Sequence, residues 1–210
     1  MQLISGLVSN NAAKVRMVLA EKGLDVELIE VPWTKSKAWE PKPQVLLQAN
    51  PRAQVPVLKD GELTLWDSTV INEYLEERYP EPSLMPVATA ERALCRLWED
   101  EGDFNQSHVG VLIGEVFLAA PGTPLSPPAQ QAINDLQAFY GRLEQQLQGR
   151  EFICGAFSVA DISVFLTVAF AVTLGAEVSS AMVQDWYQRM LARPAIQSEF
   201  ERMMEGVAAL

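Results

Sequence analysis

The sequence predicts a mixed α/β domain with the element order βαβ–α–ββα, followed by an all-α domain. Three observations lead to this prediction. A strand–helix–strand pattern opens the chain, and a hairpin leading into a capped helix comes next. A proline-rich segment then precedes a part of the chain that has helical periods only. We therefore expect an α/β domain over residues 1–79, a linker over 80–87 and a helical domain over 88–210.

The composition is that of a folded, acidic protein. Hydrophobic residues make up 49% of the 210 residues, charged residues make up 20%, and the formal net charge is −11. This balance favours a globular chain. It argues against nucleic acid and membrane surfaces as partners, because phosphates require a basic footprint. The apolar run over residues 164–174 is too short to cross a bilayer, and no signal peptide is visible.

The cysteine and histidine content argues against disulfide and metal chemistry. Cys95 and Cys154 are far apart in the sequence and form no C-x-x-C pair, which favours reduced thiols in a cytoplasmic protein. One histidine and two cysteines leave few ligands for a soft metal ion, so we predict no metal site.

The first strand–helix–strand unit covers roughly the first thirty residues. Residues 3–7 suit a strand, and residues 25–31, rich in Val, Leu and Ile, suit a second one. Between them an apolar stripe at helical spacing predicts a helix that ends near Gly23, with the stripe formed by Ala12, Val15, Val18 and Leu19. Such a unit favours a parallel pair of strands with a right-handed crossover.

The stretch over residues 50–74 carries the strongest local signals. Asp60-Gly61 separates two short apolar strands and predicts a tight hairpin turn. Pro56 stands at the head of the first of these strands, where it cannot donate a ladder hydrogen bond and leaves the backbone of Val55 unpaired. Asp67 and Ser68 are both good N-caps for the helix that follows. The helix N-terminus offers N–H groups and a positive dipole end to a carboxylate, so this stretch can bind a peptide-like anion.

This stretch resembles the thioredoxin-like N-terminal domain of cytosolic glutathione transferases. The resemblance implies that glutathione binds here as a co-substrate. Pro56 would be a cis-proline that meets, together with Val55, the cysteinyl backbone of glutathione. Asp67 and Ser68 would hold its γ-glutamyl carboxylate, with Asp where Glu is more usual.

The same resemblance assigns the catalytic position to Ser9, in the turn before the first helix. Its hydroxyl would donate a hydrogen bond to the glutathione sulfur. Lowering a thiol pKa of about 8.5 by roughly two units requires about 2.7 kcal/mol of anion stabilisation, which a hydroxyl donor and a helix N-terminus can supply. The alternative is that Ser9 only caps the helix. Ser5 is a weaker candidate, and Asn10-Asn11 replaces the Pro–aromatic pair common in the family.

A basic, aromatic segment over residues 32–49 supplies the candidate for the glycyl carboxylate. Counted back from Asn50, Lys42 stands where serine-type plant enzymes have the corresponding Lys. Lys35 and Lys37 are rivals, and any of the three could be a solvated surface lysine instead.

The resemblance also implies a pocket for an apolar electrophile as second substrate. Its candidate lining residues are Leu7, Val8, Asn10, Phe104, Asn105 and His108. In the helical domain, Ser158 and Asp161 predict a capping box, which resembles the family's G-x-F-S-x-A-D motif and has a folding role. From the sequence such a box is worth about 1 kcal/mol.

The leading functional interpretation is a glutathione transferase that conjugates the thiolate to an electrophilic small molecule and acts as a homodimer. The alternative is a non-catalytic protein of the same fold that binds a partner such as RNA polymerase. Stringent-starvation-type proteins share the fold and a helix similar to residues 15–24. A glutathione-dependent isomerase or dehalogenase would use the same thiol site.

Overall fold

The computed structural model describes residues 1–120 and 122–210, which form two compact units. The first unit comprises Met1–Leu84 together with Arg193–Leu210, and the second comprises Met85–Ala192. No helix within the described residues combines the length and the apolar character that a membrane span requires.

The predicted element order βαβ–α–ββα is confirmed in the first unit. Its elements in chain order are β1 (Gln2–Ser5), α1 (Asn10–Glu21), β2 (Glu27–Glu30), α2 (Gln44–Ala49), β3 (Val57–Asp60), β4 (Leu63–Trp66) and α3 (Ser68–Arg78). The sheet has the order β2-β1-β3-β4, in which β1 is parallel to β2 and antiparallel to β3. Gly61 turns the β3–β4 hairpin at a φ of 58°, a left-handed conformation that glycine adopts readily.

Three strands are shorter than the sequence suggested, among them β2, which covers Glu27–Glu30 where residues 25–31 were expected. β1 ends at Ser5, because the chain turns immediately afterwards and the Ser9 N–H donates to the Gly6 carbonyl at 3.1 Å. β3 begins at Val57, directly after Pro56, since proline has no N–H to donate to a neighbouring strand.

The strand register brings three chain segments together at one end of the strands. Val57 of β3 pairs with Ile4 of β1 on one side and with Trp66 of β4 on the other. One residue beyond this row, β1 continues toward the turn before α1, Pro56 precedes β3, and Asp67 follows β4. The segments singled out in the sequence are therefore neighbours in the fold.

The remaining elements are helical. They are α4 (Thr89–Leu112), a π-helical turn (Ile113–Phe117), α5 (Pro127–Leu147), α6 (Val159–Thr173), α7 (Ala181–Leu191) and α8 (Pro194–Ala208). The predicted capping box at the start of α6 is confirmed, because the Ser158 N–H donates to the Asp161 carboxylate at 3.0 Å. Cys95 and Cys154 are free thiols.

The last helix groups with the first unit, whereas the sequence boundary placed residues 88–210 together. Ion pairs between α8 or its N-cap and α1 explain the difference. Arg193 donates to both carboxylate oxygens of Glu21, at 2.9 and 2.6 Å. Arg16 donates to Glu199 at 2.6 Å. Neither pairing has a local sequence signal.

A buried ion pair fastens the chain that follows α3. Lys22 lies 2.7 Å from Glu76 and also donates to the carbonyls of Tyr79 and Pro82, at 2.8 and 2.9 Å. Burial opposes ionisation of Glu76, but the hydrogen bonds from Lys22, Leu84 N–H and the Ser83 hydroxyl outweigh it and lower its pKa below the ordinary 4.5.

We expect Glu76→Gln to reduce the free energy of unfolding by about 2 kcal/mol near neutral pH, because Lys22 loses its counter-charge. A folded-state pKa below the unfolded one gives stability that is present above about pH 4.5 and lost as the pH falls. The gap between wild type and variant should therefore shrink at about pH 3.5. Urea unfolding at both pH values measures it, and a gap that is equal at both would contradict the role of the charge.

Candidate functional site

A cavity of about 300 Å³ lies in the first unit beside two of these segments, the turn before α1 and the residues that precede Pro56. It is lined by Ser9, Asn11, Val31, Trp39, Lys42, Leu46, Ala53, Gln54 and Val55. Ser9, Lys42 and Val55, which the sequence singled out from separate segments, thus lie around one cavity.

Ser9 occupies the N-cap of α1 and also faces this cavity. Its Oγ accepts a hydrogen bond from the Ala12 N–H at 3.3 Å. A hydroxyl that accepts in this way keeps its own proton for donation to a second group. The two roles considered for Ser9, capping the helix and donating to a sulfur, are therefore compatible in one side chain.

The Val55–Pro56 segment is the second predicted part of the site. The peptide bond between the two residues is cis, as the resemblance implies. Val55 lines the cavity, whereas the ring of Pro56 is buried and does not contribute to the lining.

Asp67 and Ser68 stand at the N-terminus of α3 and are not among the residues that line the cavity. Asp67 is the N-cap, and its carboxylate accepts from the N–H groups of Thr69 and Val70, at 3.1 and 3.4 Å. Its φ of 80° is unusual for a residue with a side chain, and such conformations cluster at ligand-binding sites. Because Asp67 uses these two N–H groups, an anionic ligand would rely on the backbone N–H and hydroxyl of Ser68.

Lys42 is the candidate cation that the structure places at the cavity. Its side chain is about one-third exposed and lies 3.8 Å from Glu40, a long and weak ion pair. Lys35 and Lys37 lie on the same segment but do not line the cavity. Within residues 1–120 and 122–210, no cluster of three or more His, Cys, Asp or Glu is arranged to hold a metal ion.

Comparison with known proteins agrees with this geometry. Residues 3–83 match the family model described as glutathione S-transferase, N-terminal domain. A glutathione S-transferase from Rhodospirillum rubrum F11 aligns with a TM-score of 0.81 and 28% identity, over 94% of this chain and 90% of that chain. Residues 3–83 are thus similar to the N-terminal domain of glutathione S-transferases, and the described chain shares the fold of the Rhodospirillum rubrum protein.

Two further similar proteins have different names, one with a bound glutathione conjugate and one a stringent starvation protein. Ure2p5 from Phanerochaete chrysosporium, cocrystallized with 1-(S-glutathionyl)-2,4-dinitrobenzene, has a TM-score of 0.81 and 23% identity over 100% of this chain and 96% of that one. A stringent starvation protein A homolog from Coxiella burnetii is 43% identical over 124 residues, which is 59% of this chain. That match spans 54% of the relative, about half of its length.

Trp39 lines the cavity, and nothing in the sequence indicated that it would. It packs beside a buried cluster that includes Ile4, Val31 and Leu46. Its ring lies so close to Gly6 that a methyl group there would overlap it. A tryptophan in an irregular basic segment, which also contains Trp33, gives no local signal for this long-range contact. Asn11 and Gln54 also line the cavity and were not assigned a role.

The residues expected to bind the second substrate of a transferase fall in both units. Leu7, Val8 and Asn10 lie in the first, and Phe104, Asn105 and His108 lie in the second. That pocket stays a prediction.

The three residues on α4 differ in exposure. Phe104 is 65% exposed and meets the His108 ring edge-on at 6.1 Å between centroids. Asn105 is buried, and its amide donates to the Glu101 carbonyl at 2.7 Å within the same helix. His108 lies 3.8 Å from Asp135. Of the three, Phe104 exposes the most apolar surface.

Proposed function

We propose that this protein is a glutathione transferase, which binds glutathione in the 300 Å³ cavity and conjugates its thiolate to an apolar electrophile. One observation carries the proposal. A hydroxyl at a helix N-terminus, a cation and the residue before a cis-proline lie around one cavity of peptide size, and they are Ser9, Lys42 and Val55. This arrangement is supported by the similarity to glutathione S-transferases over residues 3–83.

In the proposed complex, each part of the tripeptide meets a group of matching charge or hydrogen-bonding capacity. The cysteinyl backbone pairs with the backbone of Val55, next to Pro56. The γ-glutamyl carboxylate meets the Ser68 N–H and hydroxyl at the positive end of α3, which Asp67 caps. The glycyl carboxylate meets the ammonium group of Lys42. Because Lys42 has only a long contact with Glu40, little is lost when it turns to a ligand.

The proposed chemistry depends on Ser9. Its Oγ donates a hydrogen bond to the glutathione sulfur while it accepts from the Ala12 N–H. The positive N-terminus of α1 adds to the stabilisation of the anion. The thiolate then attacks an electrophilic carbon, a C–S bond forms, and a leaving group departs with its electron pair.

A second candidate function is partner binding without catalysis, as considered for stringent-starvation-type proteins that attach to RNA polymerase. The 43% identity to a stringent starvation protein A homolog over 124 residues favours it. Asn10-Asn11, in place of the Pro–aromatic pair, also favours a helix N-terminus that no longer serves catalysis.

We further propose that the protein is a cytoplasmic homodimer. Free thiols at Cys95 and Cys154 suit a reducing compartment. A shallow apolar depression on the first unit supports self-association; its lining residues are Leu63, Leu65, Thr69, Val70, Glu73, Tyr74 and Glu77. Leu63 and Val70 are 41% and 50% exposed, and a second copy of the chain would cover them in such a dimer.

The test uses the wild-type protein with glutathione and 1-chloro-2,4-dinitrobenzene. We expect calorimetric binding of glutathione, an ultraviolet thiolate signal at neutral pH, and formation of the dinitrophenyl conjugate. Binding without a thiolate signal would favour the non-catalytic protein. If glutathione does not bind at all, both the transferase and the glutathione site are wrong.

A further inference from the structure

We propose that the C-terminal helix α8 holds the turn that carries Ser9 in its working conformation, through Arg16 and Glu199. The inference rests on the proposed transferase function, because it concerns how the Ser9 hydroxyl is presented to glutathione. Arg16 and Glu199 do not line the cavity, so they are positioning residues and not catalytic ones.

Arg16 forms several hydrogen bonds to the turn before α1, and these are the first part of the argument. Its guanidinium donates to the carbonyls of Gly6 and Leu7, both at 2.9 Å, and to the Ser5 hydroxyl at 2.5 Å. The Gly6 carbonyl also accepts from the Ser9 N–H at 3.1 Å. One oxygen therefore joins Arg16 directly to the backbone of Ser9. The planar guanidinium suits this task, because its donors reach several acceptors in fixed directions.

The second step is the ion pair that keeps Arg16 in place. Arg16 is 5% exposed and donates to the Glu199 carboxylate at 2.6 Å. Burial lowers the pKa of Arg16, and Glu199 opposes that shift. A buried cation without its partner carries a large desolvation penalty. Removing the charge of Glu199 therefore raises the free energy of the buried guanidinium and favours its departure from beneath the turn.

A second contact from α8 reaches the same turn. Gly206 lies two helical turns beyond Glu199 and packs directly against the side chain of Leu7. A methyl group at Gly206 would stand 2.7 Å from Leu7 Cδ2 and 3.3 Å from Val8 Cγ1. Since residues seven apart share a helix face, one face of α8 both anchors Arg16 and supports the turn from the side.

Glu21 provides a matched control for the experiment. Glu21, the last residue of α1, forms an ion pair at 2.6 Å with Arg193, the N-cap of α8. That pair lies at the other end of α1 and does not reach the turn. Glu199→Gln and Glu21→Gln thus each remove one ion pair between the same elements, and only the first removes support from Arg16.

We expect Glu199→Gln to raise the pH midpoint of thiolate formation in bound glutathione and to lower kcat about tenfold with little change in KM. Arg16→Lys, which keeps the charge but not the planar donors, should do the same. Gly206→Ala should show a smaller effect in the same direction. Glu21→Gln should leave the midpoint and kcat unchanged. Far-ultraviolet circular dichroism confirms that each variant is folded.

Amide hydrogen exchange over residues 6–9 supplies a readout that needs no glutathione. The inference expects faster exchange there in Glu199→Gln than in Glu21→Gln. Equal exchange in the two variants, or an unchanged thiolate midpoint in Glu199→Gln, overturns it. If the wild type forms no thiolate, the proposed function fails, while hydrogen exchange still decides whether α8 holds the turn.

Discussion

Ser9→Ala is expected to lower the rate of glutathione conjugation at neutral pH about 100-fold, with little change in glutathione affinity. The variant loses the hydroxyl that donates to the sulfur, so the pKa of bound glutathione returns toward that of a free thiol, about 8.5. The peptide backbone and both carboxylates of glutathione keep their proposed contacts at Val55, Ser68 and Lys42. The pH dependence of the thiolate absorbance measures the pKa of bound glutathione. The ratio of kcat to KM measures the loss in the rate of conjugation.

The same substitution removes the N-cap of α1, and this loss needs its own control. The cap is worth about 1 kcal/mol, because the Ala12 N–H loses its acceptor. Ser126 caps α5 in the same way, accepting from the Ala129 N–H at 3.2 Å. We expect Ser126→Ala to lose similar stability and to keep full activity. If both variants lose activity equally, or if Ser9→Ala retains the thiolate, Ser9 is a helix cap and nothing more.

Asp161→Ala is expected to reduce the free energy of unfolding by about 3–5 kcal/mol, several times what the sequence suggested for a capping box. The carboxylate is fully buried and accepts four hydrogen bonds. Two come from Ser158, through its N–H and its hydroxyl, both at 3.0 Å. The others come from the Ile153 N–H at 2.9 Å and the Trp186 indole N–H at 3.0 Å. Alanine leaves these donors buried without an acceptor.

Chemical unfolding at two pH values tests this role of Asp161. Burial raises its pKa from 3.8 to about 6, against the opposing effect of its four hydrogen bonds. The folded state therefore binds a proton more tightly than the unfolded state, and this contribution is lost as the pH rises through about 6. The difference between wild type and variant should be larger near pH 5 than near pH 7. A loss of only about 1 kcal/mol would mean that the bonds to Ile153 and Trp186 contribute little.

Much of the fold could be predicted from the sequence because its signals are local. The period of the apolar residues indicated α1, Asp60-Gly61 indicated the β3–β4 hairpin, and Ser158 with Asp161 indicated the start of α6. Each of these signals depends on residues within a few positions of one another, whose backbone conformations and capping bonds form without the rest of the chain. Ser9, Pro56 and Asp67 could be singled out for the same reason, together with their resemblance to a family motif.

What only the tertiary structure decided depends on residues far apart in the chain. The tertiary structure placed Lys42 at the cavity and left the other two candidate lysines outside its lining. It also packed the ring of Trp39 against Gly6. It joined Arg16 to Glu199, 183 positions later, and so grouped α8 with the first unit. It also gave Asp161 the indole of Trp186 as a partner. Such contacts follow from how helices and loops pack once the sheet has formed, and no spacing within the sequence encodes which distant partner a side chain will meet.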